Sequence, residues 1–217
     1  MQDTGPMQFS GRTLAIETAS EACSVAVFDG TKTVAHDHQV LGRGHAEALV
    51  PMIADLPSKG RADRILVSLG PGSFTGVRIG IATARALGVA WNIPVFGYPT
   101  LALVSVRAWQ PQPRPVTVCM NGGHGEWFVQ NFDGVTPQDN HRSLTPQDAV
   151  FACRHDVIVG NRAQQLADLI GKDTTLALDL LPDAGKIGLL HESCLTADLA
   201  PIYGRAPDAV PQKSKQQ

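Results

Sequence analysis

The chain has 217 residues, 43% of them hydrophobic, enough to bury a core in one domain or in two small lobes. Its formal charge is −2, so no global positive field holds a polyanion such as tRNA without a partner. The four cysteines, Cys23, Cys119, Cys153 and Cys194, form no C-x-x-C pair and no apolar run reaches membrane-span length, which points to reduced thiols in a cytosolic protein.

Residues 1–12 lack the apolar segment of a signal peptide and read as a flexible leader. Residues 13–16 and 23–28 are β-type runs around a polar turn, and Asp29-Gly30 signals a hairpin into a third strand at 33–40. Ala46, Leu49, Val50 and Ile53 recur at a spacing of three and four, predicting an amphipathic helix over 45–56 that ends before Pro57. A strand at 65–69, a glycine turn, a helix over 74–91, a strand at 92–96 and a helix over 100–109 follow. A strand meander followed by alternating helices and strands argues for a mixed sheet with helices packed on it.

Gln110-Pro-Gln-Pro-Arg-Pro115 is a proline-rich break, read as a linker between a first lobe, 13–109, and a smaller second lobe, 110–206. The second lobe restarts the pattern of the first, with a hairpin formed by 116–120 and 126–132. A helix over 145–153, capped by Thr145 and begun by Pro146, a strand at 157–159 and helices over 162–170 and 182–192 complete it. The polar tail, 207–217, reads as disordered.

The junction Gly70-Pro-Gly-Ser-Phe-Thr-Gly-Val-Arg-Ile-Gly80 is a strand, a tight turn and a helix start. Such a turn either caps the helix through Ser73 or Thr75 or offers backbone N–H groups to an anion, and neither a Walker pattern nor G-x-G-x-x-G is present. If the anion reading holds, Glu17, Thr18, Gly70, Gly72, Ser73, Thr75 and Arg78 are the candidate nucleotide or phosphate contacts. Within the helix, Gly76, Gly80, Ala84 and Gly88 recur every four residues, leaving one side nearly bare. That side either packs tightly inside the monomer or, if exposed, marks a helix–helix interface.

No pair of residues has metal-ligand spacing, and no serine or cysteine has the setting of an activated nucleophile. His36 and His38 share one face of a strand with no carboxylate or cysteine pair near them in sequence, and His45 opens a helix where it caps or packs. Glu17, at a strand end, is the acid best placed for Mg²⁺ or phosphate chemistry, against the default of a solvated turn carboxylate.

Leu14-Ala-Ile-Glu-Thr-Ala-Ser-Glu-Ala-Cys-Ser-Val-Ala-Val27, His45 with Leu49-Val-Pro-Met52, and the run from Gly70 to Gly88 together resemble the TsaB family, formerly YeaZ. Pro201-Ile-Tyr-Gly-Arg205 is similar to that family's closing P-x-Y-x-R segment, and the middle of the second lobe matches loosely. The resemblance implies an α/β, two-lobed ASKHA fold (actin-like ATPase, Hsp70-type, ribonuclease H-like) with mixed sheets flanked by helices. It also implies membership of the bacterial complex that makes threonylcarbamoyladenosine (t6A) in tRNA, in which the paralogue TsaD is the transferase and TsaE an associated ATPase. Members of the TsaB family are then non-catalytic partner subunits that meet tRNA indirectly and no membrane. The implied partner surface lies on the first-lobe helices, at His45, Leu49, Met52 and Ile53 and at Gly76, Val77, Gly80, Ile81, Ala84, Arg85 and Gly88; a homodimer through the same helices is the alternative for the isolated chain.

TsaD relatives hold a metal through a histidine pair after the strand expected here at 92–96, where this chain reads Gly97-Tyr-Pro-Thr-Leu-Ala-Leu-Val104 and offers no ligand. Two departures from the family pattern are Glu17 in place of Asp, and Asn121 and Gly123 in place of the Asp and Arg of an I-D-A-R-x-G-E run. Both remove or move charge between the lobes, so no cofactor is expected to bind independently, and ATP or ADP with Mg is expected only at an interface shared within the complex. Two other classes stay open: an ATP-dependent phosphotransferase or ATPase of the actin-like superfamily, and a peptidase or peptidase-binding protein.

Overall fold

The structure, a computed structural model, describes residues 11–108 and 112–204. The tail expected to be disordered, most of the expected leader and the first two residues of the expected linker lie outside the described residues. Gly11 and Arg12 do not belong to a leader. Arg12 opens β1 (Arg12–Glu17), and its backbone N–H and guanidinium are tied to Asp63 and to the Pro57 carbonyl.

β1, β2 (Ala22–Asp29) and β3 (Lys32–Val40) form the expected antiparallel meander. It is followed by α1 (His45–Asp55), β4 (Arg64–Ser68), α2 (Phe74–Trp91), β5 (Val95–Tyr98) and α3 (Thr100–Val106). The first sheet has the order β3-β2-β1-β4-β5, with β4 parallel to β1 and β5 parallel to β4. The second half contains β6 (Pro115–Gly123), β7 (Glu126–Asp133), β8 (Thr136–Pro137), β9 (Arg142–Leu144), α4 (Pro146–Ala152), β10 (Val157–Val159), α5 (Ala163–Ile170) and β11 (Leu176–Leu178). Its sheet runs β11-β10-β6-β7-β8, with β9 also on β7, so the hairpin strands and the parallel strands occupy the same relative places as in the first sheet.

Alternation along the strands sorts the side chains into three cores. Leu14, Ile16, Val25, Val27, Ile65 and Val67 point to the face covered by α1 and α2. Ala15, Ala26, Phe28 and Leu66 point the other way, toward α3, where they meet Val116, Val118, Met120, Phe128 and Phe132 of the second sheet. Trp127, Val129 and Ile158 face α4 and α5 on the far side. The molecule is therefore five layers deep: a helix pair, a sheet, a central layer holding α3, a second sheet and a second helix pair. Among the described residues no helix is long and apolar enough to cross a membrane.

Two expected elements differ. The helix expected over 182–192 is instead a pair of short 3₁₀ turns, Ala184–Leu189 and Glu192–Cys194. Asp183 caps the first turn through Gly185 N–H, and Gly185 lies so close to the His36 ring that a Cβ there would come within 2.8 Å. This segment packs on β1, β2 and β3, so the chain from Asp183 onward leaves the second sheet and returns to the first. The strand expected at 92–96 begins only at Val95, because Asn92 takes the left-handed conformation, φ 57°, that terminates α2.

The bare side of α2 lies against β1 and the turn after it. A Cβ on Gly76 would sit 2.0 Å from the Thr18 carbonyl oxygen, and one on Gly80 would sit 2.4 Å from Thr18 Oγ1. The Thr18 hydroxyl donates to the Gly76 carbonyl at 2.8 Å, fixing the approach. Gly76→Ala is therefore expected to lower stability by about 1–3 kcal/mol through overpacking, despite alanine's higher helix propensity, and to shift the urea midpoint down. An unchanged midpoint would show that the close approach is not required.

Candidate functional site

A cavity of about 760 Å³ opens between the two sheets. One wall is the turn Ala19 to Glu21 together with Pro71 to Phe74, and the opposite wall is the β6–β7 turn, Met120 to His124, with Asn161. The returning chain, Ile202 to Gly204, forms the third side. The two lobes are tied across the rim. Asn161 Nδ2 donates to both oxygens of Glu21, at 2.8 and 2.9 Å, and Asn161 Oδ1 accepts the Asn121 N–H at 2.8 Å. Of the two positions that depart from the family pattern, Asn121 holds its own turn by accepting Gly123 N–H, while Gly123 is left-handed at φ 76°.

The structure divides the candidate phosphate contacts. Gly72, Ser73 and Arg78 line the cavity; Glu17, Thr18, Gly70 and Thr75 do not. Ser73 caps α2 by accepting Gly76 N–H at 3.1 Å, and its own N–H goes to the Ala19 carbonyl at 2.7 Å. Gly70 is left-handed at φ 94°, and a Cβ there would come within 2.8 Å of the Ile202 carbonyl oxygen. Its conformation serves the packing of the returning chain. Arg78 lies with its guanidinium carbon 3.5 Å from the centre of the Phe74 ring and donates to the Tyr203 hydroxyl at 2.8 Å.

Glu17 is fully buried below the cavity floor, which corrects its assignment as an Mg²⁺ or phosphate ligand: no oxygen of its carboxyl reaches the cleft. Its Oε1 accepts Ala19 N–H at 2.7 Å, and its Oε2 lies 3.3 Å from the Tyr98 hydroxyl, which also donates to the Ile16 carbonyl. Burial pushes this carboxyl up to about 7, against the opposing hydrogen bond from Ala19 N–H. A protonated Glu17 has an O–H to offer the Tyr98 oxygen, a role the carboxylate lacks. Beside it, the hydroxyls of Ser68 and Thr100 are paired at 2.9 Å.

Most of the candidate partner residues face inward. His45, Leu49, Met52 and Ile53 of α1 are buried, as are Gly76, Val77, Gly80, Ile81, Ala84 and Gly88 of α2; only Arg85 is exposed. This corrects the reading of the small-residue stripe as an outer surface, since β1 and β4 already occupy it. His45 Nε2 lies 3.2 Å from the Ala22 carbonyl and joins α1 to β2. The outer face of the helix pair consists instead of Val50, 58% exposed, and of Ala82, Arg85, Ala86 and Val89, the last 85% exposed. The charge of Arg85, exposed beside Ala82, Ala86 and Val89, is the signal in the sequence that this side of α2 meets solvent.

His36 gains a partner that sequence spacing did not show. Its Nε2 meets Asp183 Oδ1 at 2.7 Å, joining β3 to the returning chain. Against the upward push of burial, the hydrogen bonds from His36 and Gly185 hold Asp183 at about 2. Among the described residues, no three His, Cys, Asp or Glu side chains are grouped so that they could hold a metal ion.

Because the Glu17 carboxyl titrates near 7 in the folded chain and near 4.5 when unfolded, the native state binds the extra proton between these values. Its contribution to stability is complete below about pH 4.5 and is lost as the pH rises to about 7, on the order of 3 kcal/mol in total. Glu17→Gln is expected to flatten that part of the profile, measured by chemical denaturation from pH 4.5 to 8. A wild-type and variant difference independent of pH would rule out the buried proton.

A family model described as "TsaD: tRNA N6-adenosine threonylcarbamoyltransferase" matches residues 37–178. The tRNA threonylcarbamoyladenosine biosynthesis protein TsaB of Escherichia coli (strain K12) is 39% identical over 183 residues, covering 81% of this chain and 75% of that protein. An uncharacterized protein of Mycobacterium tuberculosis is 39% identical over 218 residues, covering 91% and 93%. Among solved structures, YeaZ from Pseudomonas aeruginosa superimposes with a TM-score of 0.74 at 27% identity, covering 89% of this chain and 100% of that one. With its duplicated mixed sheets, paired outer helices and interlobe cleft, the chain has the two-lobed actin-like fold and belongs to the TsaB (YeaZ) family.

Proposed function

We propose that this chain is a non-catalytic partner subunit in the formation of t6A, the threonylcarbamoyl group on N6 of the adenosine next to the tRNA anticodon. It acts by binding a TsaD transferase, with TsaE as the associated ATPase, and meets tRNA through that assembly. The observation that carries the reading is the 39% identity to TsaB over 81% of the chain.

The surface is assigned to the outer face of α1 and α2 rather than to the buried stripe. Val50 and Val89 are large apolar side chains left in water at 58% and 85% exposure, with Arg85 between two small residues, Ala82 and Ala86. An apolar centre with a polar rim is the usual anatomy of a specific protein contact. In isolation the same face serves a homodimer, which competes with the transferase for it. Nucleotide with Mg is met only at the junction of the two subunits.

Reconstitution of tRNA modification from purified TsaD, TsaE, tRNA and threonylcarbamoyl-adenylate, with and without this chain, tests the role. Modification is expected to require it, and full rate in its absence would refute the proposal. Val89→Glu, placed on an exposed position, is expected to leave the thermal melt unchanged and to weaken TsaD binding by about a hundredfold. Co-purification that survives Val89→Glu together with Val50→Arg would move the interface elsewhere.

A further inference from the structure

The sequence contains five asparagines and a single Asn-Gly pair, Asn121-Gly122, and the fold places that pair on the cleft wall, at the tip of the β6–β7 hairpin. Gly122 is the extra residue of a bulge, since Asn121 pairs with Trp127 and Gly123 with Glu126. The bulge demands glycine there, because a Cβ would meet the Glu126 carbonyl oxygen at 2.9 Å. The Gly122 nitrogen is consequently left with no side chain to shield it.

Asn121 is exposed, and its Oδ1 accepts Gly123 N–H at 3.2 Å. This turn folds the side-chain carbonyl toward the peptide that follows, the direction in which its carbon meets the Gly122 nitrogen. The Gly123 N–H also stabilises the negative charge that develops on Oδ1 when that carbon is attacked. A Cβ on Gly123 would have nothing within 4 Å, so water reaches the turn. The other asparagines are set differently. Asn131 is fully buried and bonded to Asp139 and the Ala152 carbonyl, and Asn161 is held by Glu21. Asn92, Asn140 and Asn161 precede Ile93, His141 and Arg162, whose side chains crowd the nitrogen that would attack.

We propose that Asn121 is a site of spontaneous deamidation in the folded chain, and that its isoaspartyl product releases the tie between the lobes. The Gly122 nitrogen gives its proton to solvent and bonds to Asn121 Cγ, the Cγ–Nδ2 bond breaks, and ammonia leaves with a proton taken back from solvent. Water then opens the five-membered imide at either carbonyl, giving aspartate or isoaspartate. One water is consumed and one ammonia released, and no oxidant is needed. Either product adds a carboxylate to the cleft wall, where Glu21 is otherwise the single one among the described lining residues. In isoaspartate the main chain runs through the side-chain carbons and gains a methylene before Gly122. The pairings of Asn121 with Trp127 and of Gly123 with Glu126 then no longer fit together, and the Asn121 N–H is drawn away from Asn161, which holds Glu21 across the rim. The inference concerns the chain alone and is independent of the partner role.

The test incubates the folded full-length chain and the chain unfolded in urea in mildly alkaline buffer and follows the replacement of NH2 by OH by peptide mass, located by fragmentation. In the folded chain Asn121 is expected to change at least about tenfold faster than the exposed Asn140, with ammonia released in equal amount, and Asn121→Gln is expected to remove the fast reaction. The acidic species is then separated by anion exchange and its isoaspartate measured by enzymatic methylation. The isoaspartyl chain is expected to have a lower urea midpoint than Asn121→Asp, which carries the same charge on an ordinary backbone. Equal rates at Asn121 and Asn140, or reaction at Asn121 in the unfolded chain alone, would overturn the site. An isoaspartyl chain with the midpoint of Asn121→Asp would overturn the release of the tie.

Discussion

The whole architecture hangs on α3. All seven of its residues, Thr100 to Val106, are buried, because sheets on both sides use it as the floor of their cores. A helix of two turns has no independent stability in water. This one persists because both sheets cover it, and both sheets need it to cover their inner faces. The two lobes consequently share one central core and are not separable domains with a hinge between bare surfaces. The polar groups inside this layer are paired, as Thr100 with Ser68 and Ser105 with the Ala102 carbonyl, so the burial leaves these hydroxyls satisfied.

From that floor the cleft follows geometrically. The strand ends of the first sheet and the β6–β7 turn of the second rise on either side of α3, and the chain after Cys194 returns across the gap, pairing Thr196 with Gly97 and placing Ile202 beside Leu69. The close approach of α2 to β1 sets the other boundary. With Gly76 and Gly80 pressed against Thr18, α2 starts at the cleft mouth and directs Phe74 and Arg78 toward it, while Ala82, Arg85 and Val89 turn outward. One helix thus supplies Phe74, Val77 and Arg78 to the cleft and a face to the exterior, and the bare stripe between them is what permits both.

Local patterns were readable from the residues to the extent that they were local. Alternation in 23–28 and 126–132, the Asp29-Gly30 turn and the Thr145-Pro146 helix start correspond to β2, β7, the first hairpin and α4. What periodicity did not give was direction. The spacing of Gly76, Gly80, Ala84 and Gly88 shows that something comes close, but the same spacing serves a sheet below or a helix outside. The contacts that build the site are long-range: Glu21 with Asn161, His36 with Asp183 and Arg78 with Tyr203 are separated by 140, 147 and 125 positions, and no window of sequence contains them. Glu17 was misplaced for a related reason. A polar residue at a strand end looks solvated until the third dimension supplies Tyr98 above it.

That buried carboxyl has a thermodynamic consequence for any rearrangement of the cleft floor. The turn from Glu17 to Ala19 receives Ser73 N–H through the Ala19 carbonyl, so the carboxyl and the start of α2 are mechanically joined. With a titration point near 7 when enclosed and 4.5 when wet, Glu17 carries about half a proton at neutral pH and gives it up on exposure. An event that loosens this turn therefore acidifies its surroundings, and its measured heat varies with the ionisation enthalpy of the buffer even when no ligand carries a proton.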